Sequence, residues 1–515
     1  MSSQVGVPLS TLLASFEWDE IVGTGDPLLK GISYDSRDVQ PGHLFCALEG
    51  IHTDGHRYIL DAVREGAVAI LGRNVPEPPL NGVVYIRVKD TRKAMSRVSA
   101  AFYQYPSRSL KVIGVTGTDG KSSTVYYIHQ LLEMRGKKSG LLSTVSLLTD
   151  GELKKNPLRQ STPEAPIIQE VLAEMRDAGK EFAVIEATSH GLSHRTSRLL
   201  DVEFDVGVLT NVTHEHLDFH GSWENYRSDK TNLFRVLSQH RSDAKGCPAF
   251  GVANRDDKSF PYIQEHCKVP LYSYSIREKG ADLAASHIES DLQGNTFVLH
   301  EKETSAPCRI PLPGVFNVEN VLAALLTVAR IEEVPALSLI PLLKTLKGVR
   351  GRMTPIHRGQ PFSVLVDYAH TPGAFEKLFP VVRKFSPGRL IAVFGSAGER
   401  DVEKRPMQGA IASRYADLII LTNEDPRLED PLKILQDIAR GCGGRTEGKD
   451  LFLIPDRGEA IRMAFQKALP QDTVVLLGKG HESSIILSTG PVPWDEIEKA
   501  ESVLEELGYR QRQGK

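Results

Sequence analysis

No stretch of this 515-residue chain is apolar for the length of a membrane span, and the amino end, Met1 to Trp18, has neither a basic start nor a cleavage site ahead of Asp19 and Glu20. A charge excess is missing too. Charged residues make up 25% and the formal net charge is -3, which excludes a nucleic-acid or anionic-membrane binder whose affinity rests on overall charge. Cysteine is scarce. Cys46, Cys247, Cys267, Cys308 and Cys442 are odd in number, scattered and without metal spacing, as expected of reduced thiols in a cytosolic protein. No internal repeat or low-complexity tract stands out. The length exceeds one core and implies about two to four domains.

One further absence is local. Gly114-Val115-Thr116-Gly117-Thr118-Asp119-Gly120-Lys121-Ser122-Ser123 lacks the glycine that a strict nucleotide loop carries at position 115, and has Gly114 and Gly117 instead. The surroundings are nevertheless those of a phosphate cradle. Leu110 to Val115 reads as a buried parallel strand. Val125, Ile128, Leu131 and Leu132 fall at helical spacing, in a helix ending at Arg135-Gly136. Glycines between strand and helix let backbone N–H groups close on an anion at the positive end of the helix dipole. Lys121 would reach the outer phosphates and Ser122 would ligate Mg²⁺, so the chain reads as a binder of ATP or GTP.

Strands alternate with helices along the rest of the chain, giving an α/β fold of three domains. Residues 1–108 form a small α/β domain closed by the linker Tyr105-Pro106-Ser107-Arg108. Residues 109–346 carry the nucleotide loop on a mostly parallel sheet, with further strands at Phe182 to Ile185 and Val206 to Leu209. Residues 347–515 form a Rossmann-like unit with strands at Ser363 to Val366, Leu390 to Phe394, Leu418 to Leu421 and Thr473 to Leu477. Ligands of such sheets sit at the carboxyl ends of the strands. Polar clusters stand there: Glu186-Ala187-Thr188-Ser189-His190, Thr210 to Gly221, Asp367-Tyr368-Ala369-His370, Gly395 to Asp401, Asn423-Glu424-Asp425-Pro426-Arg427 and Gly478-Lys479-Gly480-His481-Glu482. Glu186 and His216 both follow strands of the loop's own sheet and suit a divalent cation, whereas His214 and His216 do not match zinc spacing.

The order of these motifs resembles the Mur ligase family, which builds the peptide stem of bacterial peptidoglycan precursors. The resemblance runs from Asp35-Ser36-Arg37 to His481-Glu482. The stretches Asp35-Ser36-Arg37…Pro41-Gly42-His43-Leu44-Phe45 and Gly478 to Glu482 are similar to the branch that joins a diamino acid (meso-diaminopimelate, lysine or ornithine) to UDP-N-acetylmuramoyl-L-alanyl-D-glutamate. The resemblance implies an ATP-dependent, Mg²⁺-requiring cytoplasmic ligase working as a monomer, with a UDP-binding first domain and an amino-acid-binding third. It implies ATP contacts from Gly117, Thr118, Asp119, Gly120, Lys121, Ser122, Ser123, Asn317, Asn320 and Asp367, and magnesium ligands in Ser122, Glu186 and His216. Tyr34, Ser36, Ile51, His52 and Thr53 would line the uridine diphosphate site, and Ser161, Thr162 and Thr188 the muramoyl-peptide part. Arg352 would meet phosphates. Arg400, Asp425, Arg427, Gly478 and Glu482 would bind the incoming amino acid. Lys230 is the family's carbamylated lysine, in which CO₂ turns a cation into a carboxylate.

Two positions depart from the family pattern. Thr196 stands where an arginine is usual, with Arg195 and Arg198 beside it, and counting back from Phe204 favours Arg198. Asp425 replaces the asparagine of diaminopimelate enzymes. Arg427 suits a carboxylate, Asp425 suits the ammonium of lysine or ornithine, and the two could also pair with each other. A folylpolyglutamate synthetase-type ligase shares the ATP-binding architecture, and the Asp35-Ser36-Arg37 domain argues against it.

Overall fold

The computed structural model describes residues 6–50, 53–76, 80–158, 160–213, 217–239, 243–278 and 280–510. The chain divides into two compact units. The first runs up to Ile288 and includes Thr296–Ile310 and Val315–Leu346. The second runs from Lys347 onward and includes Glu289–Asn295 and Pro311–Gly314.

The first unit holds two large sheets and the two-stranded pair Val7–Pro8 with Leu28–Leu29. The amino-terminal sheet orders its strands Glu20–Val22, Val84–Arg87, Ala69–Gly72, His43–Cys46 and Gly31–Ser33, parallel except for the first. Side chains alternate across it, with Leu44, Cys46, Leu71 and Ile86 in one core and Phe45, Ile70 and Tyr85 in the other. Both faces are covered, which is why these strands read as continuous apolar runs. The expected linker is docked rather than loose. Tyr105 takes a left-handed conformation at φ 51°, Pro106 and Ser107 are buried, and the Lys245 ammonium donates to the Ser107 and Leu110 carbonyls and to Asp205.

The central sheet has eleven strands. Its parallel core is ordered Ser139–Leu142, Phe182–Glu186, Lys111–Thr116, Val206–Leu209, Phe250–Asn254 and Leu271–Ser275. Antiparallel Ser146–Leu148 and Lys154–Lys155 extend one edge, and Leu283–Asp291, Gly294–Glu301 and Thr304–Ile310 the other. Strands Lys111–Thr116, Phe182–Glu186 and Val206–Leu209 lie where their apolar runs predict them, whereas Ser139–Leu142 and Phe250–Asn254, just as buried, are not expected from sequence. The outer strands alternate buried with exposed residues and carry Ser, His and Glu, so they lack such a run. Gly114 lies inside strand Lys111–Thr116, as the apolar run Leu110 to Val115 implies, and not among the loop glycines with which the motif also groups it. A Cβ there would come within 2.7 Å of the Phe204 ring, so the glycine serves packing and only Gly117 and Gly120 serve the turn.

The second unit holds a six-stranded sheet ordered Thr354–Ile356, Ser363–Asp367, Thr473–Leu477, Leu390–Phe394, Leu418–Leu421 and Leu451–Leu453, antiparallel only at the first pair, and the hairpin Ser484–Leu487 with Gly490–Pro493.

Candidate active site

Strand Lys111–Thr116 lies between two parallel neighbours and delivers residues 117–120 to the start of helix Lys121–Met134. Gly117 has φ 151° and Gly120 φ 82°. A Cβ on Gly117 would fall 1.8 Å from Thr210 Oγ1, and one on Gly120 2.2 Å from Asn320 Oδ1. These glycines are therefore required by space as well as by backbone conformation. The N–H groups of residues 121–123 have no acceptor within the helix and are available to an anion. The loop is held open from the neighbouring strand end. Thr118 N donates to Asn211 O at 2.8 Å, Asp119 N to Asn211 Oδ1 at 3.0 Å, and Thr210 Oγ1 to Asp119 O at 2.6 Å.

Two lysines converge on the loop. Lys121 Nζ donates to the carbonyls of Gly117 (3.1 Å) and Thr118 (2.8 Å). Lys230, on helix Trp223–Arg235, is 1% exposed rather than a surface lysine; its Nζ donates to Gly117 O at 2.7 Å and lies 4.3 Å from the Tyr226 ring centroid. Ser122 and Ser123 are buried in the first turn. Asn317 and Asn320 lie on helix Val315–Ile331, which packs on the loop helix. Asn317 Oδ1 accepts from Tyr127 OH at 2.9 Å, and Thr124 Oγ1 is 3.4 Å from Asn320 Oδ1.

Glu186 ends its strand and is 0% exposed, and among the described residues its carboxylate accepts from Thr144, through N and Oγ1 at 2.9 Å each. It has no ion-pair partner among the described residues. A buried carboxylate without a cation suits a metal ligand. Among the described residues no group of three His, Cys, Asp or Glu side chains forms a metal cage; His216 lies outside the described residues, as do Ile51 and His52.

Around Glu186 the predicted peptide-binding residues meet. Ser161 Oγ donates to Thr144 Oγ1 at 2.7 Å, the Thr144 proton being given to Glu186, and Thr162 Oγ1 donates to Glu186 O at 2.9 Å and accepts from Thr188 N and Oγ1. Of the two arginines, Arg198 turns to this cluster, donating to Thr162 O at 2.9 Å and Glu164 Oε1 at 2.7 Å. Arg195 points elsewhere, to Phe219 O at 2.7 Å, with its guanidinium over the Phe219 ring. Glu164, which the sequence reading left without a role, also binds Arg92 at 3.3 Å. It brings the cluster against the amino-terminal sheet, where burial and the Glu164 charge push the Tyr34 hydroxyl pKa up. Ser36 opens the turn Ser36–Asp38, and Thr53 is exposed. Thr144, Thr210, Asn211 and Tyr226 also belong here. Thr210 and Asn211 carried a sequence signal, their place at a strand end, and Tyr226 opens the polar stretch Tyr226 to Phe234 that continues from it; Thr144 carried none.

In the second unit, Gly351 and Gly480 permit a close crossing. A Cβ on Gly351 would sit 2.3 Å from His481 N, and one on Gly480 2.7 Å from Tyr368 Cβ. Arg352 lies over the Tyr368 ring at 4.6 Å. Asp367 accepts from Met353 N and Ala369 N; burial raises its pKa against the pull of Arg352. Asp425 pairs with neither Arg427 nor solvent alone: its Oδ1 accepts from Lys479 Nζ at 2.8 Å and Ile486 N at 2.9 Å. Lys479 also donates to Glu482. Arg427 has φ 56°, and its buried Nε has no partner. Arg400 is exposed, and Gly478 lies against Glu424. A cavity of about 750 Å³ lined by Phe250, Tyr272 and Arg330 opens at the amino ends of the central strands, away from the loop.

A glycine-lined phosphate cradle with converging lysines and a bare buried carboxylate, on a parallel sheet, defines an enzyme that acts on a nucleoside triphosphate. Three family descriptions match the chain: "Mur ligase family, catalytic domain" over residues 28–103, "Mur ligase middle domain" over 115–328 and "Mur ligase, glutamate ligase domain" over 351–480. The chain belongs to the Mur ligase family and is a ligase. It is 48% identical to the UDP-N-acetylmuramyl-tripeptide synthetase of Roseiflexus sp. (94% of this chain, 96% of that one). It is 46% identical to the protein of the same name from Treponema denticola (94% and 95%). A solved UDP-N-acetylmuramoyl-L-alanyl-D-glutamate--2,6-diaminopimelate ligase superposes with a TM-score of 0.64 at 28% identity, covering 98% of this chain and 99% of its own.

Proposed function

We propose that this ligase joins a diamino acid to UDP-N-acetylmuramoyl-L-alanyl-D-glutamate at the expense of ATP, in the cytoplasm and as a monomer, with domains at 1–108, 109–346 and 347–515. The observation that carries the reading is the pair formed by the nucleotide loop and the Thr162–Glu186–Arg198 cluster, both at carboxyl ends of one sheet. A carboxylate is a poor electrophile. Its oxygen takes the γ-phosphoryl group of ATP, releasing ADP, and the substrate amine displaces phosphate from the acyl carbon, losing a proton. Lys121 and the helix amino terminus hold the phosphates, and Arg198 with Thr162 and Thr188 orients the acceptor. Glu186 and Ser122, with His216, would hold Mg²⁺, which supplies charge neutralisation when bound. Carbamylated Lys230 would add a carboxylate beside that charge. Asn317, Asn320 and Asp367 would face the nucleoside, and Arg352 its phosphates.

Among diamino acids, meso-diaminopimelate suits the pocket best. Asp425 is already neutralised by Lys479, while Arg427 has a buried donor without a partner and no ion pair among the described residues. The group of this pocket left without an anion is Arg427. The test is phosphate release by the purified protein with ATP, Mg²⁺ and the UDP-dipeptide, across diaminopimelate, lysine and ornithine. Release with diaminopimelate is expected. Release with lysine or ornithine alone would overturn the carboxylate assignment, and no release with any would overturn the function, leaving the folylpolyglutamate-type alternative to be tried.

A further inference from the structure

We propose that Lys479 is a positioning residue: an ammonium built into the protein that fixes the two acidic side chains of the amino-acid pocket, so that the substrate's own ammonium is not the partner of Asp425. The inference rests on the assignment of Asp425, Arg427 and Glu482 to the incoming amino acid. Lys479 has no solvent-exposed side-chain surface, and its two carboxylate partners come from different strand ends. Asp425 follows strand Leu418–Leu421 and Glu482 follows Thr473–Leu477. Strand Leu390–Phe394 lies between them, so the ammonium bridges across an intervening strand end.

Each partner is fixed a second time. Ile486 N holds the same oxygen of Asp425, and Tyr368 OH lies 3.4 Å from Glu482 Oε1. Glu424 lies beside them, 94% buried by its 6% exposure, with Oε2 unpartnered. Burial holds it towards its neutral form against the Lys404, Lys479 and Arg457 charges. The Asp425 and Glu482 carboxylates would repel one another without the ammonium, and an ammonium in this place would be costly without them. The chain therefore supplies internally the cation that Asp425 would otherwise take from a lysine or ornithine side chain.

The experiment uses the full chain, with KM measured separately for the diamino acid, ATP and the UDP-dipeptide. Lys479→Met is expected to raise the amino-acid KM at least tenfold, leave the other two within twofold, and regain affinity when ethylammonium chloride is added to refill the cation position. An unchanged amino-acid KM, a loss spread evenly over the three substrates, or a loss that ethylammonium does not reduce would each overturn the proposal. Should that variant not fold, Lys479→Gln, which keeps a donor between the two carboxylates but removes the charge, takes its place. Here the proposal requires the amino-acid KM to rise at least fivefold with the ATP and UDP-dipeptide KM within twofold of wild type. A smaller rise in the amino-acid KM, or an equal rise in all three, would overturn it. Wild-type turnover with any of the diamino acids keeps the functional reading intact whichever way these variants fall.

Discussion

Lys121 and Lys479 both follow a parallel strand and a glycine, yet they hold opposite kinds of partner. Lys121 donates to two neutral carbonyl oxygens of its own loop, whereas Lys479 donates to two carboxylates. A carbonyl leaves the ammonium charge intact, so Lys121 can turn to an arriving phosphate without breaking an ion pair. A carboxylate neutralises it, so Lys479 can act only on what it already holds. The first site is arranged to receive charge, and the second to have its charge settled before a ligand comes. On the proposed reading, the same residue type after a strand and a glycine serves binding in one unit and preorganisation in the other.

The largest expected effect tests the first half of this contrast. Lys121→Ala should lower kcat by about a thousandfold, equivalent to about 4 kcal/mol of transition-state stabilisation, and leave the UDP-dipeptide KM within twofold. Initial-rate phosphate release checks both numbers. A fall below tenfold in kcat would mean that the carbonyl-held ammonium does not swing to phosphate and that the two lysines are more alike than their partners suggest.

A smaller effect separates the two arginines of the first unit. Arg198 sits on Thr162 and Glu164, and Arg195 on Phe219. Arg198→Ala removes a charge-assisted pair and should raise the UDP-dipeptide KM by about tenfold or more, whereas Arg195→Ala should change it less than twofold. Equal effects would show that both arginines reach substrate.

These cases also mark how far the sequence could be read. Strands buried on both faces announce themselves, so Phe182–Glu186, Val206–Leu209 and Leu390–Phe394 are legible, and their ends locate the polar clusters. Strand Leu283–Asp291 is not, because Ser286, His287, Glu289 and Asp291 break its apolar run. Arg198 can be singled out by counting along the chain, but Glu164, which orients it, cannot, since nothing local distinguishes that carboxylate. The partner of Asp425 is hidden for the same reason. Lys479 lies 54 residues away in sequence, and only the sheet order brings the two strand ends together. Gly114 shows the converse error, a glycine beside a motif that serves only to admit Phe204.

A last contrast, read in stability rather than in rate, asks whether the phosphate-loop helix carries an acid-sensitive group of its own. His129, on helix Lys121–Met134, contacts Ser139 Oγ at 2.7 Å, and burial, opposed by the Glu133 charge, lowers its pKa from 6.5 to about 4. The folded state therefore favours the neutral ring, and the unfolded state binds a proton first as pH falls. Stability from this group is complete above pH 6.5 and is lost progressively down to about pH 4, a total of about 3 kcal/mol, of which about 2 kcal/mol is gone at pH 5. His129→Gln keeps a donor and acceptor for Ser139 without the titration. Urea unfolding at pH 7.5 and pH 5 should show the wild type losing about 2 kcal/mol more than the variant. Equal losses would place the acid sensitivity elsewhere and leave the loop helix indifferent to pH.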